Sequence, residues 1–139
     1  MRRMTVTGLA IGVAGMAVGL ACATPEMPEH REGAAIYAEN CAMCHGADGR
    51  GAGDIAAGMT PAPSDLTVLA RSNGGRFPVA RVLSQVDGYL KGDSPGDDMP
   101  EFGALLEGDL VPVETDDGVM TPTPRPLAAL LAYLETVQR

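Results

Sequence analysis

The sequence predicts an all-α domain of a few short helices, with a small β-hairpin excursion between residues 107 and 126. Three observations carry this. The chain has 139 residues, enough for one core and too few for a second of useful size. Positions sharing one helical face recur near both ends of the domain, as Ile36, Tyr37 and Asn40 and then as Leu127, Leu130, Leu131 and Leu134. Short β-like runs, Leu110–Val113 and Val119–Thr121, flank Asp116-Asp117-Gly118, a turn sequence suited to a hairpin.

Taken in order, the chain begins with an export signal over residues 1–23. Arg2 and Arg3 precede an uncharged apolar run from Met4 to Ala23, the n-region and h-region of a secretory segment. Gly19-Leu20-Ala21-Cys22 resembles a bacterial lipobox that would leave Cys22 lipidated, although Gly19 stands where a bulky residue is usual. Ala21-x-Ala23 equally fits ordinary signal peptidase, and the run is borderline for an uncleaved membrane anchor. All three readings put the rest of the chain in the periplasm, free or membrane-anchored and facing it. Residues 24–30, with Pro25 and Pro28, form a polar linker, and residues 31–139 the domain.

Within the domain, Ser64 or Asp65 can cap a short helix through Ala70 that Asn73-Gly-Gly75 ends. Phe77-Pro78 opens another through about Gln85, with Val79, Val82, Leu83 and Val86 on its apolar face. Pro112 confines its strand to an edge. The hairpin would be a flap over the site, a partner contact, or a plain surface excursion.

Composition narrows the function. A hydrophobic fraction of 45% excludes disorder and collagen. The net charge of −8, with Lys91 the single lysine, excludes a nucleic-acid binder, which needs clustered cations against phosphate. Losing Arg2 and Arg3 with the signal brings the charge to about −10. Such a balance favours a partner with a basic docking face, or serves solubility alone. There is no Trp, with two Phe and three Tyr, so something other than large side chains must fill the interior.

Cys41-Ala-Met-Cys44-His45 supplies a candidate, since C-x-x-C-H is the pattern of c-type haem attachment. Residues three apart share a helical face, so both sulfurs can reach the two vinyl groups along one haem edge. The next residue, His45, then offers its imidazole to the iron. A structural zinc site would need a second Cys or His pair, and a thioredoxin-like site a βαβ frame. A Cys41–Cys44 disulfide would staple almost nothing.

On these residues the chain resembles the monohaem cytochrome c family over most of residues 33–136. Gly33-Ala-Ala-Ile-Tyr37 is similar to the family's small-then-aromatic pair before the motif, and Leu130-Leu-Ala-Tyr133-Leu134 to its C-terminal helix. The resemblance implies a cytochrome c-like fold, short helices wrapped round one covalently attached haem c, with the two helices crossing nearly at right angles. It also implies that Asp48–Gly53 passes close to the haem edge. In Pro61–Leu66 a backbone carbonyl, at Pro61 or Pro63, would accept from the His45 ring.

The remaining axial position decides between carrying electrons and ligand chemistry. Met99-Pro100-Glu101-Phe102 resembles the family's ligand loop, and proline keeps Met99 extended on a strap. Met59 is the runner-up. Core packing is the ordinary role for Met59 and Met120, while Met43 lies between the cysteines and Met27 and His30 lie in the linker. Arg71, Arg76, Arg81 and Tyr89 are candidate donors to the haem propionates. The function expected is one-electron transfer between extracytoplasmic redox proteins, without enzymatic activity of its own. The alternatives are a haem subunit of a dehydrogenase or oxidase, or a ligand-binding or peroxidase-like protein if the sixth site is open.

Overall fold

A computed structural model describes residues 26–89, 99–116 and 118–139. The export segment with Cys22, the first linker residues and Lys91 lie outside the described residues. Five helices and one hairpin follow in chain order: α1 His30–Asn40, α2 Ala42–His45, α3 Leu69–Ser72, α4 Val79–Asp87, β1 Leu110–Glu114, β2 Met120–Pro124 and α5 Arg125–Thr136. Single 3-10 turns at Ala56–Gly58 and Leu66–Val68 interrupt the loops.

The centre of the molecule is α5. Leu127, Ala128, Ala129, Leu130, Leu131 and Leu134 are all buried, so this helix is covered on several sides at once. On one side it meets α1, and Gly33 makes the approach possible. A Cβ at Gly33 would collide with the Ala129 carbonyl oxygen, so only hydrogen fits there. One helical turn on, Tyr37 is 2% exposed and its ring tilts against Tyr133 at 5.2 Å between centroids. Its hydroxyl donates to the Gly46 carbonyl at 2.7 Å, tying α1 to the loop after α2. Burial, then the nearby Cys41, pushes the phenol well above its usual pKa, so it remains a donor at all ordinary pH.

The predicted linker is partly docked. Pro28 is buried, the Glu26 carbonyl accepts from the Arg125 guanidinium, and Arg125 also pairs with Glu32 at 2.9 Å.

The hairpin forms where expected, with Val111 opposite Thr123 and Pro112 opposite Pro122. Thr115 N–H donates to Val119 O at 2.9 Å, which makes that pair a hydrogen-bonded one. Alternation along an antiparallel ladder then places Pro112, Pro122 and Pro124 at the positions that exchange no bonds. Their missing N–H groups would have pointed outward, so both edges are poor templates for another strand. Val111 and Thr123 are buried on the inner face, while Leu110 and Met120 are exposed on the outer. Core packing therefore does not describe Met120, which is 54% exposed because its position in the strand faces outward.

The hairpin turn also reaches α4. That helix starts after Pro78, whose side chain accepts nothing. Its first amides are satisfied instead by Asp116, whose carboxylate accepts from Val79 N and Ala80 N at 3.2 Å each. Arg76 donates to the Asp116 carbonyl at 2.9 Å, closing the attachment.

Candidate functional site

The motif sits at a break between two helices. Asn40 turns its amide back onto the Ile36 carbonyl at 2.9 Å and α1 ends there. Cys41 follows as the hinge residue, and the single turn α2 carries Cys44 and His45. Cys41 and Cys44 form no disulfide with one another. Burial, and then the charge of Cys44, pushes the Cys41 thiol up to about 11, so it is protonated at neutral pH.

Both cysteines and His45 open into a cavity of 640 Å³. That volume lies within the range of cofactor pockets. Leu130 and Leu134 of α5 line it from the core, and Val82 and Val86 of α4 add an apolar wall. Met99, Pro100 and Phe102 line it as well. The strap that carries them is laid onto the end of α4. Phe102 N–H donates to Val86 O at 2.9 Å, and Gly88 at φ +104° makes room for Glu101. Met99 itself packs against the core cluster. Thus Cys41, Cys44, His45 and Met99, spread over 59 positions of sequence from first to last, border one space.

His45 is oriented by a backbone carbonyl of the chain. Its Nδ1 lies 3.0 Å from the Ser64 carbonyl oxygen. A carbonyl can only accept, so Nδ1 carries the hydrogen and Nε2 keeps its lone pair for a metal. The acceptor is thus Ser64, not Pro61 or Pro63 as the resemblance implied. Asp65 caps the following 3-10 turn, leaving the Ser64 carbonyl free to face the ring.

The glycine-rich loop makes this contact possible in a way different from the one expected. None of residues 46–53 borders the cavity. A Cβ at Gly51 would collide with the Pro63 carbonyl, and one at Gly53 with the Met43 carbonyl. Gly51 N–H donates to His45 O at 2.7 Å and Gly53 N–H to Cys44 O at 3.0 Å. The glycines let backbone lie on backbone, bringing Pro61–Leu66 up to the histidine.

Other expectations are redistributed. Met59 borders the cavity and is not a core-packing residue, because the 3-10 turn at Ala56–Gly58 turns the chain toward it. Among the described residues Arg81 is the only arginine in the lining; Gln85 and Asn40, which the sequence did not single out as donors to a cofactor, join it. Arg76 is engaged by the hairpin, Arg71 is exposed, and Tyr89 is 86% exposed. The hairpin does not border the cavity, so it is no flap over it. It rests instead on a different face of α5, with a second groove lined by Met27, Met120, Ala128 and Leu131.

A family model for cytochrome c matches residues 30–138, nearly the whole described chain. The protein belongs to the cytochrome c family. No curated protein and no solved structure gives a match. Cytochromes c of this family bind covalently attached haem c, and one haem suits a domain of this size. The residues present fit that group. Two thiols three residues apart, an imidazole with its Nε2 lone pair available and a largely aliphatic cavity are the donor set and the wall a haem c requires. Haem-based electron transfer is the activity the family suggests for this cytochrome c.

Proposed function

We propose that this cytochrome c is a monohaem, one-electron carrier in which His45 and Met99 would hold the iron. Cys41 and Cys44 would hold the haem through thioether bonds, with His45 Nε2 on the iron. When bound, the haem supplies a single Fe(III)/Fe(II) couple. The chain's own residues do the rest. Ser64 holds the imidazole ring, Val82, Val86, Leu130 and Leu134 would keep water from the haem, and Arg81, in the same lining, would offset a propionate. A methionine sulfur favours the reduced iron and so a higher potential.

The observation that carries the reading is the position of Met99. Its strap is hydrogen-bonded to α4 and its side chain borders the same cavity as the C-x-x-C-H residues. Met59 shares the cavity, but Met99 alone of the two is packed on the core cluster among the described residues and is followed by a proline. The export segment supports work outside the cytoplasm, and the charge of −8 supports redox partners with basic docking faces. Attachment to the membrane through Cys22 or the uncleaved segment belongs to the same proposal.

Carbon monoxide tests the axial assignment. The ferrous wild type is expected to keep its visible spectrum under the gas, whereas Met99→Ala binds it readily. Ready binding by the wild type would mean an open sixth position, and ligand chemistry would replace electron transfer as the conclusion. A Met59→Ala variant that behaves as Met99→Ala was expected to would move the ligand to Met59.

A further inference from the structure

We infer that Gln138 and Arg139 are positioning residues for His45, acting through the loop that carries the Ser64 carbonyl. The inference rests on the proposed role of His45 as iron ligand. It starts from a cluster of polar contacts that neither the haem cavity nor the family motifs account for.

After α5 ends at Thr136, the chain turns back over Asp65–Ala70. Arg139 N–H donates to Thr67 O at 2.9 Å. Its guanidinium donates through Nε to Thr67 Oγ1 at 2.7 Å and through Nη2 to Asp65 Oδ2 at 2.9 Å. Gln138 works from the same side. Its Nε2 donates to Leu66 O at 2.8 Å and to Leu134 O at 2.7 Å, and its Oε1 accepts from Ala70 N at 2.9 Å. The end of α5 is thereby fastened to Asp65, Leu66 and Thr67, the residues that immediately follow Ser64, and to Ala70 beyond them.

The other side of the loop is held separately. Leu66 N–H donates to Gly49 O at 2.7 Å, and Gly51 lies flat against Pro63 and Ser64. Ser64 is thus set between the glycine loop and the α5 terminus. The bond from Nδ1 to its carbonyl is 3.0 Å long and lies at an exposed position, where water competes for the ring proton. A loop free to drift would surrender that bond. A strong acceptor at Nδ1 makes the imidazole a better donor to iron and so favours the oxidised state. Gln138 and Arg139 act at a distance, through geometry: neither touches the ring or borders the cavity, and Gln138 meets the lining residues Leu66 and Leu134 only at their backbone carbonyls. Arg139 is suited to this because its planar fork spans Thr67 and Asp65 together; a lysine could satisfy one of them.

The test uses the haem-loaded full chain and reads the His45 ring proton by nuclear magnetic resonance, together with the midpoint potential. In the doubly substituted Gln138→Ala, Arg139→Ala protein, the Nδ1–H is expected to exchange with water about tenfold faster, with the potential shifted upward. Amide exchange at Tyr37 and Leu130 should stay at the wild-type rate. Arg139→Lys should fall between. Thr136→Ala, which removes a hydroxyl bonded only within α5 to Tyr133 O, should match the wild type. An unchanged ring proton and potential in the double variant would overturn the inference, as would core amides accelerating by the same factor. A wild-type ring proton that the iron does not shift would overturn the ligand role of His45 and this inference with it. A shifted proton that the variants leave alone overturns this inference only.

Discussion

At the scale of single residues, Asp65 shows how one side chain serves the loop beside the site. Its carboxyl is held below the ordinary carboxylate range, first by the hydrogen bond from the Thr67 hydroxyl, against some opposing burial, and then by Thr67 N–H and Arg139. A carboxyl depressed in the folded state stabilises that state above its unfolded pKa of about 3.9 and loses the contribution as pH falls through the lower folded value. Asp65→Asn removes this one titration. Urea midpoints are therefore expected to fall less in Asp65→Asn than in the wild type between pH 5 and pH 3, starting from a lower value at pH 5. Equal falls in the two proteins would show that Asp65 carries no such linkage.

Among elements, the hairpin was legible in sequence but its use was not. Turn chemistry at Asp116-Asp117-Gly118 and the short flanking β runs announced two strands, and β1 and β2 formed there. Nothing local to Pro78 or Val79 indicated that a carboxylate 36 or 37 positions later would cap α4. The consequence is that α4, one wall of the cavity, is held at both ends, by Asp116 at its start and by the Met99–Phe102 strap at its finish. Asp116→Ala should cost about 1 kcal/mol of stability, the usual worth of a helix N-cap acceptor. Chemical denaturation of the haem-loaded protein measures it, and a change near zero would mean that water replaces the carboxylate without loss. The same element scale explains Gly33. In an ordinary helix its replacement by alanine would stabilise, yet here the added carbon would meet the backbone of α5.

For the whole molecule the cavity dominates. A space of 640 Å³ bordered by Leu130, Leu134, Val82 and Val86 removes core contacts that a protein of this size needs. Its apolar wall is left to water unless a bound group covers it, so the folded state is expected to gain much of its stability from what fills the cavity. A Cys41→Ser, Cys44→Ser chain kept free of haem is expected to lose most of its helical circular dichroism and its cooperative melting. A native-like, cooperatively melting apoprotein would show that the helices close the space themselves.

Much of this protein is written locally. The attachment motif is five consecutive residues whose chemistry follows from spacing, and the α5 pattern of leucines identifies a buried helix from its own period. Motif and period together determined the helical class and pointed to the haem, and the family match bears out both. Contacts between distant segments were beyond such reading. Ser64 rather than Pro61 or Pro63 faces His45 across 19 positions, and Arg139 reaches Thr67 across 72. Arg81 rather than Arg71 or Arg76 borders the cavity, and Met59 joins it while Met120 turns outward. The physical reason is the same in each case. Residue type states what a side chain or carbonyl can bond to, but several positions qualify equally, and only packing α5, the glycine loop and the hairpin together selects one.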